Sequence, residues 1–407
     1  MAVTFAIFLA TYLAMALGRL PGFRVDRTGA ALLGGIAMLV FEKIDSQAAW
    51  QSIDFPTIAL LFGLMIVSGA FSVSGFYAWV ALRAGDLKVG PAGLLAVMIV
   101  TSGVLSSLLT NDVVVVAMVP LLVNICQARR LNPTPFLLGF AFAANAGSAG
   151  TVIGSPQNMI IAEGLHLSFV GFMKGALLPA LLSLPVIWLV LVALYRSRWQ
   201  AKGAAAAPAA EPPPLDIPET IKATLVTAAV IAAFVFTDWP RHLVALGAAA
   251  VLLLNRRISA ANVMKQVDGD LLILLGGLFV VNAAFAATGL PQRAIADMMA
   301  RGIDLLHPLT LLGVISVLSD IVGNNPAVML LVPYVTGANA ELAGAAMALG
   351  TGLASNVVVF GSLAGIIAAE QAAKAGAPIS LSEFSLAGIP VSLVTLAIGA
   401  AWVLLLA

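Results

Sequence analysis

"SSLLTNDVVVVAMVP", residues 106–120, sets an asparagine and an aspartate, Asn111 and Asp112, inside a long apolar run. A second stretch, "SDIVGNNPAVMLLVP" at 319–333, has the same layout. The chain around them is far more apolar than a soluble domain. Of its 407 residues 61% are hydrophobic and 10% charged, with a mean hydropathy of +1.05. Soluble domains carry about 45–50% apolar and about 25% charged residues. Apolar segments fall at 3–18, 29–41, 55–80, 92–126, 136–162, 170–195, 221–237, 242–255, 270–290, 308–336, 342–369 and 384–407. This succession is that of an all-α polytopic membrane protein. The segments 29–41 and 242–255 are short for a full crossing.

The totals exclude several classes. A net charge of +1 without a basic cluster leaves no footprint for nucleic acid. Cys126 stands alone, so neither an internal disulfide nor a cysteine metal site is available, and it reads as small apolar filler. The stretch "MAVTFAIFLATYLAMALGRL" (1–20) lacks a positive leader, and Arg19 follows its apolar run, so it reads as an uncleaved first span. No HExxH, no GxSxG and no spacing of His166, His242 or His307 with carboxylates suggests an enzyme or a metal site.

The two halves match. "DFPTIALLFGLMIVSGAFSVSG" (54–75) parallels "DGDLLILLGGLFVVNAAFAATG" (268–289) at an offset of 214. The two opening stretches are offset by 213, and "GSAGTVIGSPQNMIIAE" (147–163) parallels "ASNVVVFGSLAGIIAAE" (354–370) at 207. The expected organisation is a first repeat over 1–198, an Ala/Pro-rich linker over 199–219 and a second repeat over 220–407. Taking 92–126 and 308–336 as re-entrant hairpins, with the N- and C-termini outside, puts the linker and 15 of the 20 lysines and arginines in the cytoplasm. Only Lys43, Lys174, Arg241, Arg293 and Arg301 remain outside, as the positive-inside rule prefers. Each repeat then has five spans and one hairpin. An odd number of crossings inverts the second repeat, the arrangement of secondary transporters.

Non-helical backbone survives at membrane depth only against protein or a water-filled cavity. The hairpins turn at Thr110-Asn111-Asp112 and at Gly323-Asn324-Asn325, so Asn111 and Asn324 hold equivalent places. Each could offer an amide oxygen to a cation or an amide N–H to an anion; alternatively these residues merely cap hairpin helices. The spans 136–162 and 342–369 carry small polar residues and glycine at mid-length: Asn145, Ser148, Gly154, Ser155, Gln157 and Asn158 in one, Ser355, Asn356, Gly361 and Ser362 in the other. Such spans should break at their centres, freeing carbonyls for a cation such as Na⁺ near Asn111, Gly154, Asn324 and Gly361. Packing of small residues between helices is the competing account.

A mid-membrane aspartate costs about 2.5–3.5 kcal/mol on insertion scales. No lysine or arginine lies within a predicted span core to neutralise Asp112. It must therefore be protonated or pair with a bound cation, which makes it the candidate coupling carboxylate. Asp320 is a weaker candidate, and Glu163 and Glu370, at equivalent span ends, are expected to be solvated.

"LLTNDVVVVAMVPLL", "SDIVGNNPAVMLLVP" and the two glycine-rich broken spans resemble the ion transporter superfamily of arsenite-pump membrane subunits, divalent-anion/sodium symporters and some sodium/proton antiporters. The resemblance implies a homodimer with a static scaffold and an elevator-like mobile body. It puts binding positions on Thr110, Asn111, Asp112 and the loop Gly154–Asn158, and on Gly323, Asn324, Asn325 and the loop Ser355–Ser362. The arsenite-pump branch would add a soluble ATPase subunit. Dicarboxylate members carry Ser-Asn-Thr at both hairpin tips, which this chain lacks. The expected function is secondary transport, in the inner membrane, of a small inorganic oxyanion or oxyacid coupled to H⁺ or Na⁺. Arsenite or antimonite efflux in exchange for protons leads; Na⁺-coupled uptake of a small anion and plain sodium/proton antiport are the alternatives.

Overall fold

Asp26, Asp45, Asp54, Ser168, Asp216, Ser259, Asp268 and Ser380 each accept a backbone N–H three residues on and so start a helix. These caps punctuate an all-helical chain. The computed structural model describes residues 1–20, 22–200, 213–335 and 339–407. The first half runs α1 (Ala2–Leu17), α2 (Arg27–Val40), α3 (Ser46–Ser52), α4 (Phe55–Val73), α5 (Phe76–Gly85), α6 (Pro91–Leu108), α7 (Asn111–Ala128), α8 (Thr134–Ala149), α9 (Pro156–Gly164) and α10 (Phe169–Tyr195). The second runs α11 (Ile217–Phe236), α12 (Arg241–Leu253), α13 (Ala260–Met264), α14 (Gly269–Ala286), α15 (Leu290–Ala300), α16 (Pro308–Val322), α17 (Asn324–Leu331), α18 (Ala340–Ala354), α19 (Leu363–Lys374) and α20 (Leu381–Leu406). Each helix of the first half thus has its counterpart ten places later.

Seven helices, α4, α6, α7, α10, α11, α14 and α20, are long and apolar enough to cross a membrane. One apolar segment, 55–80, is a helix pair that divides at Gly75, while 270–290 ends beside the equivalent Gly289, beyond which α15 begins. Both glycines are left-handed, with φ 77° and 71°. The short helices α3 and α13 fill stretches that carry no apolar run. Most of the expected linker lies outside the described residues, and its end is helical, because Asp216 and Pro218 open α11.

One group of helices is built on two equivalent crossings. Helix α4 packs on α12 and α14 on α2. A Cβ on Gly63 would lie 2.6 Å from the carbonyl carbon of Ala245, and one on Gly277 would lie 2.5 Å from the carbonyl oxygen of Ala31. Both members of each pair are 214 residues apart in sequence, Gly63 from Gly277 and Ala31 from Ala245. Backbone-to-backbone approach at small residues is how membrane helices gain packing contact.

A second group holds the candidate site. Helix α6 packs on α8 and α16 on α18, with α10 and α20 against both. Helix α8 is buried along its whole length, with Phe136, Phe140 and Phe142 inaccessible. Large apolar residues instead face outward on the peripheral helices, for example Leu182, Leu189, Leu225 and Leu393. An apolar surface of this extent fits lipid rather than water.

Candidate substrate and ion site

Leu109 and Thr110 turn α6 into α7 against mid-helix neighbours. The Thr110 N–H donates to Ser68 Oγ of α4 at 2.9 Å. The Asn111 N–H donates to the Gly154 carbonyl at 3.0 Å, in the break between α8 and α9. The Asn111 side chain donates through Nδ2 to Ser148 Oγ at 3.4 Å. The hairpin tip is therefore level with the interruption of a span, not with a helix end.

Gly323 turns α16 into α17 at φ 94° and ψ 156°, a conformation essentially confined to glycine. Asn324 Nδ2 donates to Ser355 Oγ at 2.9 Å. Ser148 and Ser355 are repeat equivalents, so each tip asparagine is held by the same partner. Behind the second tip, Tyr12 donates its hydroxyl to Asn282 Oδ1 at 2.9 Å and to the Pro326 carbonyl at 3.3 Å. Asn282 stands 214 residues from Ser68, the anchor of the first tip. The sequence reading passed over both; a polar residue at the same place in two matched apolar stretches was the available signal.

The broken spans have clear causes. Pro156, without an N–H, sits comfortably in the first turn of α9 and cannot continue α8. A Cβ at Gly154 would stand 2.5 Å from the Ser148 carbonyl oxygen, so the chain folds back on itself there. Asn158 Nδ2 bridges the break, donating to the carbonyls of Ser148 and Thr151, both at 2.8 Å. In the second span a short 3₁₀ turn, Val359–Gly361, precedes α19, which Ser362 caps through the Gly365 N–H at 2.9 Å. Asn145 joins the halves, donating to Asn356 Oδ1 at 3.0 Å and Ser362 Oγ at 3.1 Å.

These elements enclose a cavity of about 80 Å³. Asn111, Asp112 and Gln157 line it from the first half, and Gly323, Asn324, Asn325 and Ser362 from the second. Thr110, Asn145, Ser148, Gly154, Ser155, Asn158, Ser355, Asn356 and Gly361 lie outside its lining; the bonds above place most of them in the supporting network. Several buried oxygens there have no hydrogen-bond partner: Ser106 Oγ, Thr110 Oγ1, Asn111 Oδ1, Ser155 Oγ and Asn158 Oδ1 near the first tip, Asp320 Oδ1 and Asn325 Oδ1 near the second. Unpartnered buried polar atoms are rare, and the five oxygens near the first tip suit a hard cation; behind the second tip the Asn282 Nδ2 is unpartnered as well.

Two charged groups depart from expectation. Arg27 lines the cavity from the start of α2, with its Nε donated to the Met15 carbonyl at 3.0 Å. A cationic group therefore does face the cavity that Asp112 faces. It was missed because it precedes its apolar run and reads as a loop charge. Glu163 is not left to solvent: Arg241, at the start of α12, lies 2.8 Å from its carboxylate and donates to the Ala162 carbonyl at 3.2 Å.

The family model described as citrate transporter, CitMHS, matches residues 12–354. The chain belongs to the CitMHS family. An uncharacterized transporter of Mycobacterium tuberculosis (strain H37Rv) is 30% identical to this CitMHS chain, over 98% of it and 96% of the relative. The silicon efflux transporter LSI3 of Oryza sativa subsp. japonica is 28% identical over 93% of this chain and 92% of its own. The crystal structure of the Alcanivorax borkumensis YdaH transporter covers all of this chain and 96% of that one, with a TM-score of 0.58 at 16% identity. The fold of this CitMHS member is thus a transporter fold, and the chain is a multi-pass membrane protein of a transporter superfamily, as the resemblance implied.

Proposed function

We propose that this CitMHS member is a secondary active exporter of a small inorganic oxyacid, of the arsenite or antimonite kind, exchanged for protons at Asp112. One observation carries the reading: a single carboxylate and the amides of Asn111, Gln157, Asn324 and Asn325 converge on one small cavity from both halves. A neutral oxyacid presents several O–H donors and oxygen acceptors. Ionised Asp112 accepts from its hydroxyls, while the amides complete both kinds of bond. A proton on Asp112 removes that acceptor, so proton and substrate compete for one group, which is the requirement for exchange. The silicon exporter LSI3 supports the reading, since dissolved silicon is also a small neutral oxyacid. The proposed setting is the inner membrane, with the termini outside, the 199–219 linker in the cytoplasm, and the chain acting as a homodimer with an elevator-like body.

A second reading is Na⁺-coupled uptake of a small anion. The unpartnered oxygens at the first hairpin tip favour it, as does the guanidinium of Arg27 at the cavity. The family description, citrate, points the same way. Everted membrane vesicles separate the two. Accumulation of arsenite, antimonite or silicic acid driven by a pH gradient, indifferent to Na⁺ and lost in Asp112→Asn, is the expected result. Anion movement that needs Na⁺ and survives Asp112→Asn would establish the second reading instead.

A further inference from the structure

Arg27 and Arg241 are repeat equivalents: each opens the short helix of its half, and they stand 214 residues apart. Glu163 and Glu370 are equivalents too, each seven residues beyond the start of the half-helix that follows a broken span. Yet the two pairs are in different states. Arg241 is bonded to Glu163, at the far end of α9. Arg27 instead shares the cavity with Leu363 and Ala364, at the near end of α19, and Glu370 is exposed without an ion pair among the described residues.

We propose that these residues form two alternating latches of the transport cycle. The Arg241–Glu163 latch is closed in the state described here, and an Arg27–Glu370 latch closes in the opposite-facing state as the first one opens. The proposal rests on the transporter reading and the inversion of the repeats, but not on the identity of the substrate. In an inverted pair the two halves exchange conformations when the carrier turns over. What Arg241 does now, Arg27 must do then.

The stroke follows from the helix. The two arginines differ in register by about seven residues along equivalent half-helices, which at 1.5 Å per residue is a slide of about 10 Å. Sliding the second group of helices by that distance brings Glu370 to Arg27 and brings the start of α9, with the cavity, to Arg241. One arginine then always faces the site while the other is latched. Packing elsewhere shows the same division. The Gly63 and Gly277 crossings are alike in both halves, whereas α9 packs on α4 and α19 has no comparable packing on α14.

Paired cysteines in a Cys126→Ser background test this in native membranes without any substrate. Glu163→Cys with Arg241→Cys, and separately Arg27→Cys with Glu370→Cys, are treated with a short bismaleimide. Both pairs should cross-link. In the four-cysteine protein, prior closure of the 163–241 pair should abolish the 27–370 product. Absence of the 27–370 cross-link while 163–241 forms, or both forming in one molecule, overturns the proposal. Nitroxides at Asp238 and His166, and at Phe23 and Lys374, all exposed positions, give a second reading if the cysteine variants do not accumulate. Two populations about 10 Å apart, shifting in opposite senses for the two pairs, are expected, and one fixed distance in each pair is the contrary result. A failed transporter reading would show separately, as wild-type vesicles that move no solute under either gradient.

Discussion

Asn111 and Asn324 occupy one chemical position twice, each with its amide on the hydroxyl of an equivalent serine and its flank in the cavity. Replacing either by alanine removes one or two buried hydrogen bonds, worth about 0.5–1.5 kcal/mol each. Asn111→Ala and Asn324→Ala should therefore reach the membrane in ordinary amounts, as quantitative blotting would show. Transport should nonetheless fall about tenfold or more, since about 1.4 kcal/mol of lost binding is a factor of ten. Wild-type rates in both variants would place the site elsewhere. Asp112→Asn belongs to the same scale. It keeps the size of the side chain and removes the charge, as a bound proton does, so substrate binding should weaken and the response to a pH jump disappear; currents from supported proteoliposomes would register this. Much of this was legible in the letters, because a polar residue in an apolar run has a short list of reasons to exist. Arg27 was not, since a charge just outside a span looks the same in sequence whether it meets water or a cavity. Glu163 was misread for the same reason: its partner Arg241 arrives from the other half of the chain.

Helices acquire meaning here through where they stop. Gly323 holds φ 94°, and any other residue there is strained by about 1–3 kcal/mol. A Cβ at that point would meet nothing closer than 3.7 Å, from Arg27. Gly323→Ala should thus fold but displace Asn324 from Ser355, with a loss of transport exceeding the loss of protein. Gly63 and Gly277 behave differently. Any side chain there must push two backbones apart, so Gly63→Leu and Gly277→Leu should both prevent accumulation of folded protein, as fluorescence-detected size exclusion would report. Normal elution of either variant would count against the crossings described. Helix breaks were visible in sequence through Pro156, Gly154 and Ser362, whose effects are local. The division at Gly75 was not, because the apolar run continues across it and only its left-handed backbone ends the helix. At the equivalent Gly289 the run stops, and α15, with Gln292, Arg293 and Asp297, has no apolar run to announce it.

At the scale of the whole molecule, matched helices ten places apart and matched crossings at Gly63 and Gly277 describe two copies of one unit. Which way the copies face is decided by the hairpins. Helices α6 and α7 are each long enough to cross a membrane, but only if the pair together made one crossing, broken at its tip, would the chain between the two hairpins change sides. The tip between them bonds to Ser68 within α4 and to Gly154 in the interruption of a span, contacts that the proposed re-entrant turn requires. Charge argues against a single broken crossing, since 15 of the 20 basic residues gather on one side only if each hairpin returns the chain to the side it left. Arg83 precedes the first hairpin and Arg257 follows it, and both are exposed. Single cysteines at these two positions should therefore react with a membrane-impermeant maleimide from the cytoplasmic side alone, in everted vesicles and not in intact cells. Labelling of the pair from opposite sides would mean that α6 and α7 together make one broken crossing. The halves would then be parallel copies, and no exchange of conformations between Arg27 and Arg241 could follow.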